Sequence, residues 1–66
     1  MEKDEIKKII REISESMRSK GYDPVNQIVG YFISNDLGYI PDFDDNRNKM
    51  ATIDRTVLLE VMLEEY

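Results

Sequence analysis

The residues of most evident chemical interest form a short acidic stretch, DFDDNRN, at positions 42–48. Three of its side chains copy positions 1, 3 and 5 of a calcium-binding loop: Asp42, Asp44 and Asn46. Such a loop also needs glycine at its sixth position and a bidentate glutamate at its twelfth, where this chain has Arg47 and Ile53. We therefore expect no metal site here, and we interpret Asp44 and Asp45 as carboxylates that cap a helix.

The sequence lacks the residues from which most catalytic and zinc sites are built. It contains no cysteine and no histidine, which excludes disulfides, thiol nucleophiles and the usual zinc ligands. It has no glycine-rich phosphate loop, and its neighbouring acids, such as Asp44–Asp45 and Glu64–Glu65, have no evident apolar pocket beside them. We expect no enzymatic activity and no cofactor.

Charge and hydropathy limit the partners of the chain. Fourteen acidic and nine basic residues give a net charge of −5, and the basic residues are spread between Lys3 and Arg55. This balance argues against nucleic acid as a partner, because proteins that bind it normally carry a dense basic patch. A helix that spans a bilayer needs about 20 apolar residues, and no apolar run in this sequence is nearly that long. The charged start of the chain has no signal-peptide pattern. We expect a cytoplasmic protein that does not insert into membranes.

The length of 66 residues allows a single domain, 1–66, with a small core. A chain of this size buries only about 60% of its unfolded surface, and many natural proteins of similar length add disulfides, a metal or a second subunit. Because the first two are not expected here, the length alone favours a homodimer.

Hydrophobic spacing and turn residues predict a compact all-α bundle of four short helices, at approximately 4–20, 24–34, 44–53 and 55–66. The first carries apolar side chains on one face: Ile6, Ile9, Ile10, Ile13 and Met17. Gly21 follows as its C-cap. Asp23 and Pro24 begin the second helix, whose predicted inward residues are Val25, Ile28, Val29, Phe32 and Ile33. Gly30 costs this helix about 1 kcal/mol relative to alanine, and we expect the close approach of another helix to explain it.

In the second half of the chain, proline and aspartate residues indicate where helices end and begin. Pro41 forbids a helix through 37–41, where Tyr39 and Ile40 are expected to fasten the connection to the core. Asp44 or Asp45 then begins a third, weaker helix, with Met50 and Ile53 facing inward. Asp54 is the predicted N-cap of the last helix, and Ile53 and Leu58 have the spacing of a hydrophobic staple.

The last helix is apolar over about 240° of its circumference, far more than the stripe of about 100° that a surface helix needs. Its apolar residues are Val57, Leu58, Leu59, Val61, Met62, Leu63 and Tyr66. One interpretation is a central helix wrapped by the other three. The other, which we prefer, is that one face is buried inside the subunit and another against a second copy. The predicted dimer interface is centred on Leu59, Leu63 and Tyr66.

The segment from Gly21 to Asn48, GYDPVNQIVGYFISNDLGYIPDFDDNRN, resembles the IreB family of small regulatory phosphoproteins of Gram-positive bacteria. The uninterrupted NQIVGY, with GY before it and YIP after it, carries the resemblance, which continues to Tyr66. It implies an all-helical homodimer without known enzymatic activity. Such proteins are phosphorylated by a membrane-anchored Ser/Thr kinase and act in cell-envelope stress signalling. The implied partners are a second copy, that kinase and an unidentified cytosolic protein.

The phosphoacceptor residues depart from the family pattern. In the family, the accepting threonines lie in an N-terminal tail ahead of the first helix, whereas residues 1–4 here contain no threonine or serine. The two threonines of this sequence, Thr52 and Thr56, lie at the junction of the last two predicted helices and are the candidate phosphoacceptors. We expect the dimeric scaffold to be retained, and we expect the phosphoswitch to be absent.

The polar and aromatic members of the matched segment form the candidate site: Tyr22, Asn26, Gln27, Tyr31 and Tyr39. One interpretation is that they fasten the loop at 35–41 onto the second helix through hydrogen bonds and ring packing. The other is that they form a surface for a partner protein. The preferred function is a non-enzymatic, homodimeric signalling adaptor. The alternative is a helix-turn-helix-like nucleic-acid binder, a shape that short helices joined by tight turns permit.

Overall fold

The computed structural model describes residues 2–64, which form four α-helices and one 3-10 turn. In chain order these are α1 (Lys3–Ser19), α2 (Pro24–Ser34), the 3-10 turn (Leu37–Tyr39), α3 (Asn46–Ala51) and α4 (Arg55–Glu64). No strand occurs among residues 2–64, so the predicted all-helical fold is confirmed. Helix α1 contacts α2, α3 and α4, and the 3-10 turn contacts α2 and α3.

Helix α1 supplies the longest face of the core. Ile6, Ile13 and Met17 are buried, and Ile9 and Ile10 pack against them at the edges, as the spacing predicts. The helix ends in a Schellman motif, in which the Tyr22 N–H donates to the Met17 carbonyl and the Gly21 N–H to the Arg18 carbonyl. Gly21 has a φ of +86°, a conformation that a side chain would disfavour.

Helix α2 begins as predicted but buries a different face. The Asp23 carboxylate accepts hydrogen bonds from the N–H groups of Val25 and Asn26, and Pro24 occupies the first turn. The buried residues are Pro24, Ile28 and Tyr31. The prediction that Val25, Val29 and Ile33 face the core is wrong, because all three are exposed.

Helix α3 is shorter than the predicted 44–53, and neither Asp44 nor Asp45 caps it with its side chain. Both residues have positive φ, 53° and 61°, which stops the helix from extending toward the N-terminus. The Asp44 carboxylate accepts a hydrogen bond from the Ser16 hydroxyl of α1, and Asp45 accepts one from the Asn48 amide. Asp45 occupies the N-cap position, as predicted, but the interpretation that its carboxylate caps the helix is wrong. Met50 and Ile53 are buried as expected.

The start of α4 follows the prediction. The Asp54 carboxylate accepts hydrogen bonds from the N–H groups of Thr56 and Val57. Ile53, just before the cap, and Leu58 are both buried in the core cluster, as the staple spacing predicts. The core combines residues from all four α-helices, from the loop before α3 and from the connection between α3 and α4: Ile6, Ile13, Met17, Ile28, Tyr31, Ile40, Met50, Ile53, Leu58 and Val61.

Candidate interaction surface

Three of the five candidate motif residues hold the 3-10 turn and the core together. The Gln27 amide donates a hydrogen bond of 2.8 Å to the Tyr39 carbonyl. The Tyr39 ring lies directly on Gly30, where a Cβ atom would come within 2.4 Å of the ring. The expected close approach at Gly30 is thus confirmed, and the approaching element is the 3-10 turn, through the Tyr39 ring. Tyr31 is buried in the core.

The other two motif residues lie at the junction of α1 and α2. The Tyr22 ring is exposed and stands 6.0 Å from the Phe43 ring, centroid to centroid. The Asn26 amide donates a hydrogen bond of 3.0 Å to the Asp23 carboxylate, which also caps α2. These two residues thus contact Phe43 and Asp23, whereas Gln27 and Tyr39 join α2 to the 3-10 turn.

An exposed apolar surface lies on α2 and α4. Five aliphatic side chains there are between 42% and 77% exposed: Val25, Val29, Ile33, Leu59 and Leu63. We call them the α2–α4 patch. The patch includes Leu59 and Leu63 of the predicted dimer interface, and Tyr66 lies outside the described residues. The sequence did offer a signal for the α2 half of the patch, because Val25, Val29 and Ile33 stand at i, i+4 and i+8.

A shallow apolar groove separates α2 from α4 within this surface. Its volume is about 210 Å³, and its lining carries no polar surface: Ile28, Val29, Phe32, Leu58, Leu59 and Met62. Sites for small molecules usually enclose about 300–1,000 Å³ and include a few polar groups that orient the ligand. The groove therefore suits the aliphatic side chains of a protein better than a cofactor.

Arg55 borders the same groove. Its guanidinium donates a hydrogen bond to the Phe32 carbonyl and lies 5.0 Å from the centroid of the Phe32 ring. This stacking is a cation–π contact, in which the arginine remains solvated while it covers one face of the aromatic ring. Arg55 thus ties the start of α4 to the end of α2.

The acidic stretch that resembles a calcium loop has a different role in the structure. Asn46 is completely buried, and its amide donates a hydrogen bond of 3.0 Å to the Ser16 hydroxyl, which donates one of 2.6 Å to Asp44. Within residues 2–64, no group of three or more acidic side chains is placed to hold a metal ion. The hydrogen bonds that join Asn46, Ser16 and Asp44 fasten the loop before α3 to α1, a role that the spacing of these residues does not predict.

The two threonines lie where the sequence predicts, at the junction of α3 and α4. The Thr52 hydroxyl donates a hydrogen bond of 2.7 Å to the Lys49 carbonyl. Thr56 is exposed in the first turn of α4, and its N–H donates to the capping carboxylate of Asp54. Thr52 directly follows α3, and Thr56 is part of α4.

A cluster of charges joins the ends of α1 and α4. The Lys3 ammonium lies 3.1 Å from carboxylate oxygens of both Glu60 and Glu64, and Lys7 lies 3.2 Å from Glu64. Hydrogen bonds to Glu60 and Glu64 raise the pKa of Lys3 above its ordinary value. Hydrogen bonds from Lys3 and Lys7 lower the pKa of Glu64. The groups are exposed, so their contribution to stability is small and sensitive to salt.

The described residues define a class of protein. It is a small helical bundle that exposes aliphatic side chains on α2 and α4. No helix among residues 2–64 is long and apolar enough to cross a bilayer. The whole chain, residues 1–66, matches the family model of the IreB regulatory phosphoprotein, and the chain belongs to that family. This match confirms the resemblance drawn from Gly21 to Asn48 and extends it over α1. The family is one of regulatory phosphoproteins and is not a known family of enzymes.

Proposed function

We propose that this protein is a non-enzymatic, homodimeric regulator that acts in the cytoplasm by binding other proteins. Its place in the cell would be downstream of a membrane-anchored Ser/Thr kinase in cell-envelope stress signalling. Membership of a regulatory phosphoprotein family supports the regulatory part of this proposal. The exposed α2–α4 patch is the observation that supports the homodimer.

The patch is large for a subunit of this size. Burying a whole Val, Leu or Ile side chain is worth about 1.5–3 kcal/mol, and these five are already about half-buried. Completing their burial is therefore worth about 5 kcal/mol per subunit before the costs of association. A two-fold axis beside α2 and α4 would bring the patch of one subunit against the same patch of its partner.

The nucleic-acid alternative finds no support in the described residues. A helix-turn-helix protein reads DNA with basic and polar side chains of an exposed recognition helix. Helix α3 has only six residues, and its two basic side chains are engaged within the subunit. Arg47 lies 3.6 Å from Asp42, and Lys49 lies 3.6 Å from Glu12.

Light scattering on the purified protein tests the homodimer. We expect about twice the subunit mass of 7.8 kDa at tens of micromolar. A mass that stays near 7.8 kDa over that range would refute the homodimer. The adaptor role is tested by capture from native cytosol on wild-type bait and on an Ile33→Asp/Leu63→Asp bait. A partner retained equally by both would not require the α2–α4 patch.

A further inference from the structure

A second groove runs along α1, next to the α2–α4 patch. It lies between α1 on one side and the start of α2 and the end of α4 on the other, and its volume is about 300 Å³. Ile10, Ile28 and Val61 contribute to its apolar lining. Pro24, Val25 and Met62 line it as well.

The α1 side of this groove is basic, although the chain as a whole carries a net charge of −5. Lys7, Arg11 and Arg18 line it at i, i+4 and i+11, together with Ser14 and Glu15. Lys7 is paired with Glu64. Among residues 2–64, by contrast, no carboxylate lies within ion-pair distance of Arg11 or Arg18, and neither guanidinium makes a hydrogen bond. Two arginines thus border the groove without an ion pair to any described residue, and three basic side chains face one carboxylate, Glu15, in its lining.

We propose that this groove binds an acidic, amphipathic peptide segment of a partner protein. Carboxylates of the segment would face Arg11 and Arg18, and its aliphatic side chains would occupy the groove beside Ile10 and Ile28. The proposal rests on the proposed function, since it names the class of partner segment that the regulator recognises. The groove shares Val25 with the α2–α4 patch, but Arg11 and Arg18 lie outside that patch, so variants of the two arginines test the peptide site separately from the homodimer.

The spacing of the arginines defines the segment further. Arg11 and Arg18 are seven residues apart on one helix, a separation of about 10 Å along its axis. Carboxylates about two helical turns apart, or about three residues apart in an extended peptide, match that separation. The apolar lining supplies most of the affinity, and the two charges select acidic segments and accelerate association.

Other occupants fit the groove less well. Its volume is at the lower limit for small-molecule sites. An anionic membrane would be attracted by the arginines, but it would be repelled by a chain of charge −5, and a flat bilayer cannot fill a concave groove. A peptide satisfies both the shape and the local charge.

Selection from a random peptide library tests the proposal without a known partner. The immobilised full chain serves as target, and Arg11→Glu/Arg18→Glu serves as the matched variant. Lys8→Glu is the control, because Lys8 is exposed on the same helix and does not line the groove. Circular dichroism and light scattering on each variant establish that the fold and the oligomeric state are unchanged.

We expect the wild type and Lys8→Glu to enrich peptides that combine aspartate or glutamate with aliphatic residues. Binding of an enriched peptide, followed by fluorescence anisotropy, should weaken about tenfold in Arg11→Glu/Arg18→Glu and in high salt. Enrichment of neutral or basic peptides, equal binding by the double variant, or no enrichment would overturn the proposal. Arginine-dependent sedimentation with anionic lipid vesicles but not with the peptides would overturn it in favour of a membrane. If Arg11→Glu/Arg18→Glu loses peptide binding but remains a dimer, the peptide site and the dimer interface are separate.

Discussion

The ring of Tyr39 lies on Gly30 so closely that a Cβ atom at position 30 would be 2.4 Å from the ring carbon Cδ1. The backbone of the same tyrosine is also bound to α2, because its carbonyl accepts a hydrogen bond from the Gln27 amide. Helix α2 therefore tolerates an unfavourable glycine in its middle because the glycine makes room for the 3-10 turn. This contact explains why a glycine and a tyrosine nine residues apart belong to one motif.

The first prediction is that Gly30→Ala destabilises the protein by about 1 kcal/mol. Overpacking costs about 1–3 kcal/mol, and the better helix propensity of alanine offsets about 1 kcal/mol of it. Tyr39→Ala alone should lower the melting temperature by several degrees. In the Tyr39→Ala background, Gly30→Ala should instead raise stability, because only the propensity gain remains. Thermal and urea unfolding of the four proteins measure this cycle.

The change of sign is the decisive outcome of that cycle. If Gly30→Ala has the same effect with and without the Tyr39 ring, the two residues are not coupled. If Tyr39→Ala leaves the melting temperature unchanged and abolishes capture of a partner, the tyrosine belongs to a binding surface and the structural interpretation of the motif is wrong.

The second prediction concerns the buried amide of Asn46. Its nitrogen donates to the Ser16 hydroxyl, and its oxygen Oδ1 is buried with no hydrogen-bond partner among the described residues. Ser16→Ala removes the remaining partner and should destabilise the fold by about 1–3 kcal/mol. Ser14→Ala is the control, since Ser14 lies on the same helix and makes no side-chain hydrogen bond to residues 2–64. Equal melting temperatures for the two variants would contradict the prediction.

The third prediction is a pH dependence that comes from Glu64. Its pKa in the folded protein is lowered from 4.5, so the stability it contributes is present above the unfolded value and is lost as pH falls through the folded one. Wild type should therefore melt slightly above Glu64→Gln at pH 7, and the difference should vanish in strong acid. High salt should reduce it at pH 7. A difference that persists in strong acid would assign the effect of the substitution to packing.

The pattern of the sequence predicts α1 and the starts of α2 and α4 well, because their causes are local. The apolar face of α1, the glycine after it and the carboxylates of Asp23 and Asp54 all act within one turn of their own position. The limits of α3 are not predictable in this way. Asp44 adopts a positive φ and bonds to Ser16, 28 residues away, so the helix begins at Asn46 and not at the predicted residue 44.

The spacing of apolar residues cannot decide which face of α2 turns toward the core. Two of its faces are apolar, one with Ile28 and Tyr31 and the other with Val25, Val29 and Ile33. Which face turns inward depends on where the 3-10 turn docks, and that contact is tertiary. For the same reason, the apolar pattern of α4 alone does not predict that exposed residues of α2 lie beside it.

The fourth prediction is that the folded protein is a poor substrate for a membrane-anchored Ser/Thr kinase of the family's type. Thr52 is hydrogen-bonded to the Lys49 carbonyl, and Thr56 lies in the first turn of α4, whereas a kinase needs an extended segment. Incubation with such a kinase and mass spectrometry should give little phosphate on either threonine. A free peptide of residues 48–60 is the control, and it should be modified more than the folded chain. Stoichiometric phosphate on Thr56 in the folded protein would restore a phosphoswitch at a helix N-terminus, where a phosphate is electrostatically favourable.

The fifth prediction is that single charges in the α2–α4 patch break the homodimer. Leu63→Asp on α4 and Ile33→Asp on α2 place a carboxylate at the two most exposed aliphatic positions of the patch. In an isologous interface each substitution occurs twice, and a buried, unpaired charge is costly, so both variants should become monomers by light scattering. Ala51→Asp is the control, because it adds the same charge at an exposed position outside the patch and should remain a dimer.

The pattern across these variants locates the interface. Loss of the dimer in Leu63→Asp alone would confine the contact to α4, and loss in Ile33→Asp alone would confine it to α2. Because each side chain is exposed in the isolated subunit, both variants should keep the helical circular dichroism of the wild type if the monomer is stable. Unfolding of both, with Ala51→Asp intact, would mean that the subunit needs its partner to fold, as is common for chains of this length. A wild-type dimer that survives both substitutions would exclude the α2–α4 patch as its interface.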